Sequence, residues 1–346
     1  MKRQKLLLTG LCLFLFFIVL CAGCNGVPEE LNEDDSIMVL QTNGDYISLP
    51  SVPNRIIILN AHAAEVVSLL GAGDKVVGIA STVAEHPELS TLFPDAVNVG
   101  QGTLPNIEMI SELKPDVIVA YNSLKPKNAH LIENMEIPII YIDCYRPELM
   151  AQDVKSLGIL TGKSVEADEY VAYYSYIMAS VLERTGNISD WPIVYCERDS
   201  SYTGMGIGSG IDSLLDISGG INVMNASMGE RATLSPEWIV ASDPDVIIKT
   251  LDADSMNNAS YEYEDFVSRT GFASMRAVKE NRTWILYNHI SYGPRSFVGA
   301  VAVAKMLHPS EFSDMSVKEL LQDYNDKYGF NWSVKNSYYP EFFVNC

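Results

Sequence analysis

Short apolar runs of strand length, separated by helical stretches, constrain this 346-residue chain more than any other feature of its sequence. RIIIL (55–59), KVVGI (75–79), DVIVA (116–120) and IPIIYID (137–143) form a first series, each bounded by Gly, Pro, Asn or Asp. PIVYC (192–196), DVIIK (245–249) and TWILY (283–287) form a second. The stretches between them are helical in pattern, such as AAEVVSLLGAG (63–73), which closes on a glycine suited to a helix C-terminus. Runs of this length alternating with helices specify βαβ units and mainly parallel sheets. The expected fold class is therefore α/β, with two Rossmann-like lobes. Between the two series, 147–162 and 164–184 read as helix, the latter about 30 Å long at 1.5 Å per residue. No Gly/Ser-rich linker joins the lobes, which predicts a stiff connection. The expected boundaries are an N-terminal lobe at 37–146, a connecting helical segment at 147–186 and a C-terminal lobe at 187–346.

Ahead of the lobes, Lys2, Arg3 and Lys5 precede an apolar stretch over 6–20 and then Cys21-Ala22-Gly23-Cys24. Basic residues, an apolar run and small residues in this order mark a secretory signal. Its ending resembles a lipobox, with Cys21 where Leu is usual and Cys24 as the residue that lipidation would make the first of the mature protein. The alternative is a retained anchor helix over 6–22, at the short end of the roughly 17–25 residues that a span requires. Both readings put the body outside the cytoplasm, tethered to the membrane through residues 1–24, with 25–36 as an acidic flexible tether. The formal charge is −20, and residues 1–23 hold three of the basic residues and none of the acidic ones, so the body is more acidic still. Nucleic acid and anionic lipid surfaces are poor partners for such a body. Cys144 and Cys196 each close an apolar run and read as buried thiols; among the cysteines left in the mature form, Cys24, Cys144, Cys196 and Cys346, there is no C-x-x-C or zinc-site spacing.

One segment recurs. NIEMISELKPDVIV (106–119) aligns without gaps to SPEWIVASDPDVII (235–248), pairing Glu108 with Glu237, Pro115 with Pro244 and Asp116 with Asp245. In each copy a capping residue, Asn106 or Ser235, opens a short helix with Glu in its first turn, and Pro-Asp closes it before a buried strand. The echo predicts two lobes of similar build.

These residues resemble the substrate-binding proteins of ABC importers for ferric siderophores, haem and cobalamin. PNRIIILNAHAAEVVSLLGAGDKVVGI (53–79) and VGQGTLPNIEMISELKPDVIV (99–119) carry the resemblance in the first half, SPEWIVASDPDVII and YGPRSFVGAVAVAKML (292–307) in the second. It runs from about residue 37 to 328. It implies two lobes bridged by a rigid helix with a ligand cleft between them, and a permease dimer with a cytoplasmic ATPase as partners. It also places the family's two permease-docking carboxylates on Glu108 and Glu237, one per lobe. Rim charges of that kind tune encounter and register more than affinity, while a first-turn Glu also complements the helix dipole.

Ligands of open α/β sheets bind beyond the carboxyl ends of the strands. The loops there supply Asn60, His62, Gln101, Tyr121, Asn122, Tyr145, Arg146, Arg198, Ser201, Tyr202, Arg231, His289, Tyr292 and Arg295. Arg295, in the GPR turn, is the first choice as ligand anchor, with capping of nearby carbonyls as its structural alternative. His62 and His289 read either as metal or haem ligands or as ordinary loop histidines. The glycines of GMGIGSG (204–210) match neither G-x-G-x-x-G nor a P-loop, and read as a close backbone approach or a turn before a helix. The arginines and tyrosines together favour an anionic ferric chelate, with a corrinoid or haem as alternative ligand and a ligand sensor as alternative role. A bare zinc or manganese ion wants about three His and a carboxylate, and His86 and His130 stand at no strand end. No G-x-S-x-G or H-E-x-x-H speaks for an enzyme, and no cofactor is expected beyond the bound ligand.

Overall fold

The computed structural model describes residues 36–252 and 258–332 and the backbone of 338–339. The segment carrying Cys24 and the tether over 25–35 lie outside the described residues, as does Cys346. Among the described residues no helix is long and apolar enough to cross a membrane.

The first lobe opens with an antiparallel pair, β1 (Ile37–Leu40) and β2 (Tyr46–Leu49). It continues through β3 (Ile56–Ile58), α1 (Ala61–Leu69), β4 (Val76–Ile79), α2 (Ser81–Ala84), β5 (Val97–Asn98), a small hairpin of β6 (Gly100–Gln101) and β7 (Leu104–Pro105), α3 (Ile107–Leu113), β8 (Val117–Ala120), α4 (Ala129–Glu133) and β9 (Ile139–Tyr141). Its main sheet is wholly parallel in the order β5-β4-β3-β8-β9. The chain winds outward from β3 to one side and from β8 to the other. The switch point, where a ligand crevice forms, therefore lies between the ends of β3 and β8.

Helices α5 (Met150–Thr161) and α6 (Ser164–Thr185) follow. Helix α5 packs on β1 and α1 and so belongs physically to the first lobe; α6, 22 residues long, makes the bridge. The second lobe runs through β10 (Ile193–Glu197), β11 (Thr203–Met205), α7 (Gly210–Ile217), β12 (Ile221–Asn222), β13 (Arg231–Thr233), α8 (Pro236–Ser242), β14 (Val246–Leu251), α9 (Ala259–Ser268), α10 (Arg276–Lys279), β15 (Thr283–Tyr287), α11 (Asn288–Ser291), α12 (Ser296–Leu307), α13 (Val317–Tyr328) and β16 (Tyr338–Tyr339). Here β12, β14 and β15 run parallel to their neighbours, while β11, β13 and β16 join antiparallel. This lobe is thus more mixed than the apolar runs predict, because its antiparallel members are short and carry no apolar run. Its switch point lies between β10 and β14.

The sequence echo is a repeat of structure. In the first copy the Asn106 side chain accepts from the amide of Met109, Lys114 ends α3 in the left-handed region, and Asp116 accepts from the amides of Asn54 and Arg55, both at 2.8 Å. In the second, Ser235 accepts from Trp238, Asp243 takes the left-handed position, and Asp245 accepts from the amide of Ile193 at 2.8 Å. Each closing aspartate thus ties its helix-to-strand corner to the neighbouring parallel strand.

The lobes share one apolar core. Val117 and Ile140 of the first and Val194, Leu286 and Phe297 of the second belong to a continuous buried cluster that includes Tyr170, Ile177 and Val181 of α6. Cys144 and Cys196 are buried free thiols, and burial raises the pKa of both.

Candidate functional site

Two adjoining cavities open where the lobes meet. The smaller, about 370 Å³, is lined by His62 and Tyr145 of the first lobe and Arg198, Met205, Ser209, Gly210, Glu230, Arg231 and Tyr292 of the second. The larger, about 900 Å³, shares His62, Arg198 and Tyr292 with it and extends past Glu85 and His86 on one side and Asp252, Asn288, His289 and Arg295 on the other. Both volumes fall within the roughly 300–1,000 Å³ of small-molecule sites.

His62 is placed by Asn60, which caps α1. The Asn60 amide nitrogen donates to the carbonyls of Ile142 and Asp143, while its oxygen accepts from the amides of His62 and Ala63. Tyr121 shares a 3.0 Å hydrogen bond with His62 Nδ1. Burial, then the charge of Arg295, pushes the His62 pKa down to about 3, so the imidazole is neutral at physiological pH. Across the cleft Gly293, at φ 73°, packs so near His62 that a Cβ would come within 2.7 Å of the ring. Only glycine suits that turn.

Arg198 follows β10 and rests on a buried ionic cluster. Lys249 Nζ donates to Glu197 Oε1 (3.2 Å) and to the carbonyls of Arg198 and Asp199 (3.3 and 3.2 Å). Arg269 pairs with Glu197 at 2.7 Å and donates to Ser201 Oγ. Two cations on one buried carboxylate, with Asp265 3.9 Å from Arg269 on its outer side, pin the loop over 198–202.

The cations of the walls are mostly answered. Arg198 pairs with Asp199 at 2.9 Å, and Arg146 reaches Glu230 at 3.7 Å. Arg295, 4% exposed, makes a two-pronged pair with Glu65 of α1 (2.7 and 2.9 Å), to which the Tyr324 hydroxyl also donates. Arg231 is different: it is exposed on the wall of the smaller cavity, and its side chain has no hydrogen bond or ion pair among the described residues.

Of the residues that sequence placed at strand ends, His62, Tyr145, Arg198, Arg231, His289, Tyr292 and Arg295 line the cavities. Asn60 and Tyr121 stand behind His62. Gln101 is exposed on the β6–β7 hairpin, and Tyr202 packs against Phe272 with Arg269 over its ring, so neither lines a cavity. Asn122 and Ser201 also stand outside the linings, and Arg146 stands behind the smaller cavity, donating to the Tyr145 hydroxyl and reaching Glu230. Arg295 reaches the wall with its charge matched by Glu65. Sequence missed Glu65, Glu230, Asp252 and His86. His86 lies in the turn after α2 and not at a strand end, which is why strand-end counting set it aside. Ser209 and Gly210 of the glycine-rich stretch do line the smaller cavity, Ser209 as the N-cap of α7. Among the described residues no group of three or more His, Cys, Asp or Glu is arranged to hold a metal ion.

Two α/β lobes on a stiff helix, with a polar cleft between their switch points, define a solute-binding protein. The chain belongs to the periplasmic binding protein family, whose model matches residues 56–288. It is 22% identical over 320 residues to an uncharacterized ABC transporter substrate-binding lipoprotein, YvrC, of Bacillus subtilis, covering 87% of this chain and 96% of that protein. It is 27% identical over 221 residues to a cobalamin-binding protein of Halobacterium salinarum, covering 61% of this chain and 58% of that protein. In fold it is similar to the molybdate-binding protein MolA of Haemophilus influenzae, with a TM-score of 0.72 and 18% identity over 86% of this chain and 99% of that one.

Proposed function

We propose that this chain, a substrate-binding protein of an ABC importer, captures an anionic ferric chelate outside the cytoplasm and presents it to its permease through Glu108 and Glu237. The observation that supports the ligand class is Arg231, a cation without a partner among the described residues, in the smaller cavity of a protein whose formal charge is −20. An acidic body repels an anion unless a local cation receives it. Glu230, Asp199 and Glu65 are each paired to another cation, so Arg231 keeps its guanidinium fork for a carboxylate-type oxygen. Neutral His62 and the tyrosines add hydrogen-bonding edge and flat contact area. Glu108 and Glu237 are exposed, and neither side chain is paired among the described residues, which leaves both carboxylates available for docking.

The test is quenching of intrinsic fluorescence on titration with ferric chelates, haem, cobalamin and molybdate. A ferric chelate should bind, and Arg231→Ala should weaken it tenfold or more, about the 1.5–3 kcal/mol of a charge-assisted hydrogen bond. Arg231 carries this test because removing Arg295 would strand the buried Glu65 carboxylate. Tight cobalamin or molybdate binding without a ferric-chelate response would refute the ligand class, and an unaltered Arg231→Ala protein would refute the anchor.

A further inference from the structure

His62 lines both cavities, and its two ring nitrogens meet different surroundings. Nδ1 shares its 3.0 Å hydrogen bond with the Tyr121 hydroxyl. Nε2 has no partner among the described residues and, unlike both ring nitrogens of His289, is not sealed from solvent. A Cβ at Gly293 would stand 3.6 Å from Nε2 and crowd that open edge. With its pKa held down to about 3, the ring is neutral, so one nitrogen carries a proton and the other a lone pair. Which one is protonated follows from the hydrogen bond that the other makes.

Burial pushes the Tyr121 pKa well up, so the phenol keeps its proton. If Nδ1 were the donor, that proton would have no acceptor among the described residues, and Tyr121 lines neither cavity. A buried O–H without an acceptor is costly. The backbone amides of His62 and Ala61 also bear on the phenol oxygen as donors, which occupies its lone pairs and leaves its proton for the imidazole. The phenol therefore donates to Nδ1, and the imidazole proton sits on Nε2. A histidine that ligates a metal through Nε2 shows the opposite arrangement, with its Nδ1–H donated to a carboxylate, carbonyl or water. Here Nδ1 faces a donor.

We infer that Tyr121 is a positioning residue that locks His62 as the Nε2–H tautomer, so that His62 meets the cargo as a hydrogen-bond donor to an acceptor oxygen and not as a ligand of its metal. This rests on the chelate reading above and deepens it. The iron keeps the shell of its own chelator, while Arg231 and His62, both on the wall of the smaller cavity, offer that chelator's oxygens a charge and a neutral donor. Haem held through a bond from His62 to its iron is excluded.

The tautomer can be read directly from nitrogen–proton correlation spectra of the full chain, labelled with nitrogen-15 at histidine. In the free wild type at neutral pH, the signals that vanish in His62→Gln should show a protonated Nε2 and an unprotonated Nδ1. Tyr121→Phe should shift the Nδ1 resonance, which loses its donor. A protonated Nδ1, or an Nδ1 resonance that Tyr121→Phe leaves in place, overturns the inference. Gallium(III) nitrilotriacetate, a diamagnetic chelate with coordination positions to spare, tests the role toward cargo. Nε2 should keep its proton when this chelate binds, and its replacement by a metal–nitrogen bond overturns the donor role. Affinity for ferric nitrilotriacetate should fall roughly tenfold in His62→Leu, and His62→Gln, which retains an N–H donor, should recover most of it. A protein that binds neither chelate refutes the chelate reading and the role toward cargo with it, whereas the free-protein spectra decide the tautomer on their own.

Discussion

His289 sits beside a guanidinium and a second imidazole, with its ring 3.9 Å between centroids from Tyr287. Because its folded pKa is well below 6.5, the unfolded chain takes up a proton that the folded chain refuses as pH falls below about 6.5. The sign follows: stability is fully present above that pH and declines with acid. Wild-type protein should therefore lose more stability between pH 7.5 and pH 5 than His289→Leu, as read by urea unfolding at both values. His62 still contributes its share in the variant, so the difference narrows without vanishing. Equal losses in the two proteins would show that His289 is not held neutral by its surroundings. At this scale the sequence was half legible. Strand-end loops could be found from Pro, Gly and Asn bounding apolar runs, but the direction of each side chain could not. Asn60 turns inward to cap α1 and Tyr202 turns to Phe272, whereas their loop neighbours His62 and Arg198 face the cleft.

Helix and strand elements were more legible, because burial of a parallel strand on both faces leaves a continuous apolar run that composition alone reveals. All seven apolar runs became strands, and 164–184 became Ser164–Thr185. The short members β6, β7, β11, β12 and β13 were not legible: two or three residues of mixed polarity carry no period. The repeated helix shows how far element-level reading reaches, since cap, left-handed exit and closing aspartate all recur at the matched positions. On those helices Glu108 and Glu237 are exposed, and neither lines the cavities. Replacing both by Ala should abolish transport in cells while leaving chelate affinity in solution within about twofold, since rim charges tune register with the partner. Each helix should lose only about 0.3–1 kcal/mol from the missing first-turn carboxylate. Affinity that falls in step with transport would place these residues in the ligand site and not at the permease.

Over the whole molecule, the stiffness expected from a helical bridge has more causes than the bridge. Tyr170 of α6 donates to the carbonyl of Pro294, and Tyr174 bonds to Ser296 Oγ at 3.0 Å, so the connecting helix is stitched to the turn that carries Arg295. That arginine reaches across to Glu65 of the first lobe, with its guanidinium carbon 3.5 Å from the Trp332 ring centre. No sequence pattern announces a pair 230 residues apart. Glu65→Gln leaves a buried guanidinium without its counter-charge and should cost on the order of 3–5 kcal/mol, measured by urea unfolding. The joint change of Glu65→Met with Arg295→Met should recover most of that loss, because removing both charges also removes their desolvation penalty. A single variant as stable as the wild type would mean that the clasp does not hold the lobes. With the clasp and one continuous core in place, little freedom is left for a hinge. X-ray scattering curves of the apo and chelate-loaded protein should nearly superimpose, and a compaction of the size produced by wide domain closure would contradict a rigid two-lobe frame.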